Sequence, residues 1–216
     1  MKDSVIFDMD GVLLDSERIA GIAWQTVGEK MRLPDIGAAL KSCIGRNDTD
    51  TRAFLRGKYG AAFSYEEFID ATEREFETLV AAGGLPLKDG AREILGWLAD
   101  TGVRIGLATS SRRKITLGHL DHTGLFPYFN AVVTGDMIRH GKPDPEIYLL
   151  ACEMLGAAPE SCFAVEDSPN GVKSAHAAGL KVIMVPDQIA PTPELERLLH
   201  RKFDTLLDVR AYFETL

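Results

Sequence analysis

Two aspartates separated by one residue stand near the start of the chain, in the string DMDG at residues 8–11. They follow a short apolar run, and side chains two apart on an extended strand share a face. The carboxylate of Asp8 can attack phosphorus to form an aspartyl phosphate, while Asp10 protonates the leaving oxygen and later deprotonates water. Gly11 has no Cβ, so the backbone can approach a phosphate closely there.

Two further segments carry groups that suit phosphoryl oxygens. Thr109 and Ser110 follow the apolar run VRIGLA, where a hydroxyl and backbone N–H groups at the start of a helix can hold non-bridging oxygens. The same residue types also suit a plain helix N-cap. Lys142, in the string GKPDPE, can pair with Asp8 before reaction and neutralise phosphoryl oxygens during it. We interpret both segments as phosphate-binding.

A second acidic pair, Glu166 and Asp167, ends the apolar run CFAV. With Asp8 and Asp10 it would bring four carboxylates to one edge of a sheet, where each like-charge pair at about 4 Å costs roughly 4 kcal/mol. Such a cluster needs a cation. An all-oxygen ligand set with room for water and phosphate favours Mg²⁺ over metals that prefer Cys and His, so the sequence predicts a magnesium site here.

The elements that must position these residues are short apolar runs, each ending in polar residues and followed by a helical pattern. Uninterrupted apolar strands separated by helices predict an α/β fold, with a parallel sheet covered by helices on both faces. Ligands bind such sheets outside the carboxyl ends of the strands, where the candidate residues would gather. The predicted strands cover residues 5–7, 103–108, 131–133, 162–165 and 182–185.

Residues 16–84 break this alternation, because they contain several helical stretches and no convincing strand. An all-helical block between the first and second strands predicts an inserted cap domain within an α/β core domain of residues 1–15 and 85–216. The tethers would be residues 14–16 and 83–86, and the second tether, GGLP, suits a hinge. The predicted helices of the cap cover residues 17–31, 35–43, 48–58 and 64–82.

Composition and charge narrow the possible functions. The 216 residues are 45% hydrophobic and 26% charged, as in ordinary globular proteins, and a net charge of -8 argues against a nucleic-acid surface. Acids at positions 3, 8 and 10 interrupt any signal-peptide apolar region, and no apolar run is long enough to cross a membrane. The spacing of the three cysteines indicates neither a disulfide framework nor a zinc site. We expect a cytoplasmic monomer that binds neither nucleic acid nor membranes.

Taken together, the four motifs resemble the haloacid dehalogenase superfamily, in its β-phosphoglucomutase-like group with a helical cap. The core is especially similar to pseudouridine-5'-phosphatase-type members, and the resemblance covers essentially the full length. It implies a Rossmann-like core whose cap closes over the substrate. The matching strings are DMDGVLLDSE from Asp8, LATSS from Leu107, GKPDPE from Gly141 and VEDSPNG from Val165.

The resemblance also implies a role for each motif residue. Asp8 would be nucleophile and metal ligand, and Asp10 the acid/base whose carbonyl also binds the metal. The remaining implied roles are phosphate binding by Thr109 and Lys142, and completion of the metal site by Glu166 and Asp167.

Three functions remain open. The favoured one is Mg²⁺-dependent hydrolysis of a small phosphorylated metabolite through an aspartyl-phosphate intermediate. A sugar phosphomutase of the β-phosphoglucomutase type is the second; such mutases resemble this chain at Asp15 and Trp24 but carry a histidine where this chain has Ala20. Without that imidazole, protection of the phospho-enzyme from water is weakened and hydrolysis is favoured. The third is a phosphorylatable switch module, against which the inserted cap and the GKPDPE context speak.

Substrate specificity should come from the cap, since the core would contact only the transferred phosphoryl group. Arg46 and Asn47 lie between two predicted cap helices and can face the substrate, although an exposed loop with a solvated arginine gives the same pattern. Glu17, just past the first tether, is a further candidate for substrate contact.

Overall fold

The computed structural model describes residues 4–43 and 48–216, and its centre is a parallel β-sheet. The strands in the described residues are β1 (Ser4–Phe7), β2 (Arg104–Ala108), β3 (Ala131–Val133), β4 (Cys162–Glu166), β5 (Lys181–Met184) and β6 (Arg201–Lys202). Neighbouring strands are all parallel, in the order β3-β2-β1-β4-β5-β6. The strand β1 therefore lies between β2 and β4.

Helices connect the strands and also form a block of their own between β1 and β2. That block contains α1 (Ser16–Lys30), α2 (Ile36–Cys43), α3 (Asp48–Tyr59) and α4 (Tyr65–Gly83). The remaining helices are α5 (Ala91–Asp100), α6 (Arg113–Thr123), α7 (Glu146–Leu155), α8 (Pro169–Ala177), α9 (Pro193–Glu196) and α10 (Leu206–Glu214). Within the described ranges, none of these helices is both long and apolar enough to cross a membrane.

Both faces of the sheet are buried, which explains why its strands are apolar without alternation. Ile6 of β1 packs in a cluster with residues of α7 and α8, whereas Phe163 of β4 faces the other way. The ring centroid of Phe163 lies 5.1 Å from that of Phe213 in α10. The predicted α/β, Rossmann-like fold is therefore confirmed. The prediction missed β6, because its two exposed basic residues give no apolar signal.

The chain folds into two compact units. The core unit contains Met1–Asp15 and Pro86–Leu216, and the helical unit contains Ser16–Leu85. The second boundary falls one residue later than in the sequence-based division. Pro86 belongs with the core unit because its carbonyl accepts a hydrogen bond from the backbone N–H of Asp15, at 2.9 Å.

The two segments where the core chain is interrupted are paired with each other. The backbone N–H of Lys88 donates to the carbonyl of Leu13 at 2.9 Å, and Leu14 forms an antiparallel bridge with Leu87. The segment through which the chain leaves the core unit is therefore hydrogen-bonded to the segment through which it returns.

The helical unit has its own apolar core. Trp24 of α1 meets Phe68 of α4 edge to face, with ring centroids 5.0 Å apart. Gly28 permits close packing of α1 against α2, since a Cβ at this position would overlap the side chain of Ile36. The buried residues of this core are Val27, Ile36, Ala39, Cys43, Leu55, Phe63, Tyr65 and Phe68.

The first turn of α8 is packed directly beneath the end of β4. Ser168 caps the helix by accepting the N–H of Gly171 at 3.1 Å, and Pro169 takes the first helical position. A Cβ on Gly171 would overlap the carboxyl group of Glu166. Glycine at position 171 is therefore what allows the Glu166 side chain to lie against this turn.

We predict that Gly171→Ala lowers the free energy of unfolding by about 2 kcal/mol, because the added methyl group must displace the Glu166 carboxyl group. Gly118→Ala is the matched control in another helix of the core unit. Its Cβ would meet no neighbouring atom, so we expect a gain of about 0.5–1 kcal/mol from helix propensity. Urea unfolding of both variants measures the difference, and equal stabilities would contradict this account of Gly171.

Candidate active site

The carboxyl ends of three adjacent strands bring the first candidate residues together. Asp8 directly follows β1, Thr109 directly follows β2, and Glu166 is the last residue of β4. Phe7, at the end of β1, is in register with a residue near the end of each neighbouring strand. Side chains from widely separated parts of the sequence therefore share one edge of the sheet, where the sequence predicts a site.

The ammonium group of Lys142 lies at the centre of this edge. Its Nζ donates to Asp8 Oδ1 at 2.6 Å, to Glu166 Oε1 at 2.6 Å and to the carbonyl oxygen of Ala108 at 3.0 Å. Only 7% of the Lys142 side chain is exposed. A buried lysine with three acceptors has a fixed position, because each of its three N–H bonds points to one of them.

The loop that carries Lys142 is held at both ends. The Glu146 carboxylate, at the start of α7, accepts the backbone N–H groups of Arg139 and His140 at 2.9 and 2.8 Å. On the other side of the lysine, the hydroxyl of Ser174 in α8 donates to the carbonyl of Asp144 at 2.6 Å. The loop therefore positions Lys142 through contacts with two helices.

The site concentrates negative charge away from water. Burial raises the pKa of Asp8 to about 8, and the charges of Glu166 and Asp10 act in the same direction while Lys142 opposes them. Burial by itself would lower the pKa of Lys142, but the carboxylates of Asp8 and Glu166 outweigh burial and raise it. Lys142 therefore remains protonated, and its one positive charge faces several carboxylates.

Glu166 is fully buried and its carboxylate is surrounded by hydrogen-bond donors. Oε1 accepts from Lys142 Nζ and from the hydroxyl of Tyr148 at 2.7 Å. Oε2 accepts the backbone N–H of Asp167 at 3.1 Å, and both the N–H and the hydroxyl of Ser168 at 3.3 and 3.2 Å. Burial, with Glu166 nearby, raises the pKa of Tyr148, so its hydroxyl stays protonated and donates.

Asp10 is held by the turn that follows β2. The hydroxyl of Ser111 donates to Asp10 Oδ2 at 2.9 Å, and the backbone N–H of Ser111 donates to Thr109 Oγ1 at 3.1 Å. Gly135 packs against this turn, since a Cβ at that position would overlap the carbonyl oxygen of Ser110. Residues 109–111, the string TSS, therefore form a compact turn that contacts Asp10, rather than an ordinary helix cap.

Gly11 allows a close backbone approach to the carboxylate of Asp167, while the approach to a phosphate stays a prediction. Its φ of +78° is in the left-handed region, and a Cβ there would overlap the carboxylate of Asp167. The same Cβ would lie 3.5 Å from Asp187 Oδ2, whose other oxygen pairs with Lys88 at 2.9 Å. Gly11 thus lets the loop after β1 pass beside Asp167.

The donor set fits a hard divalent cation. Asp8, Glu166 and Asp167 each offer a carboxylate oxygen, and these atoms lie within 4.8 Å of one another. Oxygen-only ligands suit Mg²⁺, which also keeps several waters and binds substrate phosphate. The Asp10 carboxylate, bonded to Ser111, is outside this group.

The residues predicted to contact substrate are placed differently. Glu17 lies in the first turn of α1 in the helical unit, and its side chain is exposed. Arg46 and Asn47 lie outside the described residues. Their contribution to a substrate site therefore stays a prediction.

The contacts of two residues of the site were not predicted from the sequence. Tyr148 reads as one more apolar position on the buried face of α7, so nothing in the pattern shows that its hydroxyl meets Glu166. Ser111 belongs to the TSS string, but its contact with Asp10 depends on the fold of the turn. The hydroxyl of Tyr148 is the feature that could have indicated such a contact, because a buried tyrosine hydroxyl usually has a hydrogen-bond partner.

Comparison with known proteins agrees with this geometry. Residues 2–179 match the family of haloacid dehalogenase-like hydrolases. A phosphorylated carbohydrates phosphatase of Thermotoga maritima is 34% identical over 84% of this chain and 83% of its own length. A beta-phosphoglucomutase of Bacillus subtilis is 30% identical, over 84% of this chain and 82% of its own length.

The solved structures include a HAD family hydrolase from Deinococcus radiodurans R1 with bound phosphate and sodium. It superposes with a TM-score of 0.82 at 28% identity, covering 98% of this chain and 94% of that one. The family match extends over most of the sequence and includes every residue gathered at the carboxyl edge of the sheet. This chain belongs to the haloacid dehalogenase-like hydrolase family.

Proposed function

We propose that this chain is a Mg²⁺-dependent phosphatase, a phosphoric monoester hydrolase that acts on a small phosphorylated metabolite. The observation that carries the proposal is the buried ammonium of Lys142, shared between Asp8 and Glu166 with Asp167 beside them. This arrangement sets a carboxylate nucleophile next to a fixed positive charge, as transfer of an anionic group requires. The phosphatase among the relatives supports the same activity.

The reaction proceeds in two displacements at phosphorus. First, Asp8 forms a bond to phosphorus as the ester P–O bond breaks, and Asp10 gives its proton to the leaving oxygen. Next, a water oxygen attacks the aspartyl phosphate while Asp10 takes up the proton of that water, and the bond from phosphorus to Asp8 breaks. The products are the alcohol and inorganic phosphate, and both aspartates return to their starting states.

The remaining residues hold the transferred group. Since Oδ1 of Asp8 accepts a hydrogen bond from Lys142, we assign the attack on phosphorus to the second carboxylate oxygen, Oδ2. Lys142 and the hydroxyl of Thr109 would bind phosphoryl oxygens, together with backbone N–H groups near Gly11 and Ser110. These donors keep fixed positions throughout the reaction, which is the main source of catalysis in phosphoryl transfer.

The metal site in this proposal consists of Asp8, Asp167, the carbonyl of Asp10, and Glu166. When bound there, Mg²⁺ would supply the positive charge that brings the carboxylates and the phosphoryl oxygens together. Glu166 would contribute its negative charge to this site, and the five hydrogen bonds that its oxygens accept would hold it in place.

The helical unit, Ser16–Leu85, is the proposed cap that closes over the substrate and sets specificity. Glu17, Arg46 and Asn47 are its proposed substrate contacts. We further propose that the protein works as a cytoplasmic monomer and binds neither nucleic acid nor membranes, in line with its net charge of -8.

A sugar phosphomutase is the second candidate, because a beta-phosphoglucomutase is among the relatives. Ala20 stands where such mutases carry a histidine, and its methyl group cannot protect a phospho-enzyme by proton transfer or hydrogen bonding. Incubation with β-glucose 1-phosphate separates the two activities. Isomerisation faster than phosphate release would establish the mutase, whereas a stable phospho-Asp8 without turnover would indicate a switch module.

We predict that Asp8→Asn lowers the turnover of p-nitrophenyl phosphate at least about a thousandfold, because the nucleophile is lost. The fold should be retained, since an amide of the same shape removes one buried negative charge. Asp121→Asn, at an exposed position of α6, is the matched control and should keep parent activity. Substantial turnover by Asp8→Asn would refute the assigned nucleophile.

We also predict that chelation with EDTA abolishes activity and that added Mg²⁺ restores it. Asp167→Asn should raise the Mg²⁺ concentration for half-maximal activity about tenfold or more, because a charged ligand is lost. Asp204→Asn, an exposed acid elsewhere in the core unit, should leave that concentration unchanged. Titration calorimetry with Mg²⁺ gives an independent measure, and full activity after chelation would contradict the metal requirement.

A further inference from the structure

Tyr148 contacts two charged groups of the site without belonging to any of the motifs. It lies on α7, its side chain is completely buried, and its hydroxyl donates to Glu166 Oε1 at 2.7 Å. Its ring centroid lies 5.2 Å from the Nζ atom of Lys142, within the range of a cation–π contact. One side chain therefore contacts both members of the Lys142–Glu166 ion pair.

The hydroxyl of Tyr148 limits how strongly Glu166 attracts Lys142. Oε1 has two lone pairs in the carboxylate plane, and these accept Lys142 and Tyr148. A donor that takes one of them withdraws part of the negative charge that the ammonium would otherwise feel. The hydrogen bond from Tyr148 also fixes where Oε1 lies, and so fixes the direction of one of the three N–H bonds of Lys142.

The position of the Lys142 ammonium is sensitive to Glu166, because two carboxylates attract the ammonium from equal distances. Its distances to Asp8 Oδ1 and Glu166 Oε1 are both 2.6 Å. When Asp8 becomes phosphorylated, Lys142 must stay near Asp8 and bind the new phosphoryl oxygens. A Glu166 carboxylate without the Tyr148 hydroxyl would draw the ammonium toward itself and away from the reacting group.

We propose that Tyr148 is a positioning residue for phosphoryl transfer, whose hydroxyl shares Glu166 Oε1 with Lys142 and thereby keeps the ammonium within reach of Asp8. The inference rests on the proposed phosphatase function and adds a residue that acts through Glu166. Nothing in the chemistry requires Tyr148 to contact the substrate.

The test is Tyr148→Phe, which removes one oxygen atom and keeps the ring. With p-nitrophenyl phosphate and Mg²⁺ we expect kcat to fall about tenfold while KM changes less than about twofold, because the ammonium of Lys142 then lies closer to Glu166 and stabilises the transition state at Asp8 less. Tyr212→Phe is the matched control, since its hydroxyl also makes a 2.7 Å hydrogen bond, to His200 Nε2. It should lower stability to a similar extent and keep kcat within about twofold of the parent.

A double-mutant cycle separates positioning from general destabilisation. In the Glu166→Gln background, Tyr148→Phe should change kcat by less than about twofold, since its effect passes through the carboxylate. An undiminished tenfold loss in that background would overturn the proposal, as would parent-like kcat in Tyr148→Phe alone. A Tyr148→Phe chain that fails to fold while Tyr212→Phe folds would make the hydroxyl structural and overturn it as well.

The outcome for the proposed function is read separately, from the parent and Asp8→Asn. An active parent that is silenced by Asp8→Asn, combined with an unaffected Tyr148→Phe, would reject only the role of Tyr148. A parent without phosphatase activity would overturn the proposed function and this inference together.

Discussion

The whole site depends on one buried ammonium group placed among carboxylates. A parallel sheet sends the ends of β1, β2 and β4 to the same edge, so Asp8 and Glu166 are forced into proximity by topology. Their repulsion in a buried position is the cost of that arrangement, and Lys142 offsets part of it with two 2.6 Å ion pairs. The uncompensated charge that remains is what a divalent cation would neutralise.

Glycines make this concentration of charge sterically possible. Gly11 faces Asp167, Gly171 faces Glu166, and in each pair a Cβ would overlap the carboxyl group. Backbone therefore packs directly against the charged groups, and in the case of Glu166 it also supplies N–H donors. Main-chain N–H groups supply two of the five hydrogen bonds that Glu166 accepts, so part of its support does not depend on flexible side chains.

The parts of the fold that follow from local patterning were predictable, because buried parallel strands require continuous apolar runs. The strand β6 was not, since an edge strand of two exposed basic residues carries no such run. The motif residues of the site could be named from their types and from the strands they follow. The contact of Tyr148 with Glu166 could not, because a hydroxyl inside an apolar helix face meets its acceptor only once α7 has docked on the sheet.

The pairing of the two segments that border the helical unit has an evolutionary consequence. Since the backbone of Asp15 bonds to Pro86 and that of Lys88 to Leu13, the ends of the insertion are adjacent on the core. Because loop-closure entropy grows slowly with length, each doubling of the segment that joins these ends costs only about 0.6 kcal/mol. Lineages can therefore exchange, enlarge or shorten the insertion while the residues at the carboxyl edge of the sheet are inherited unchanged.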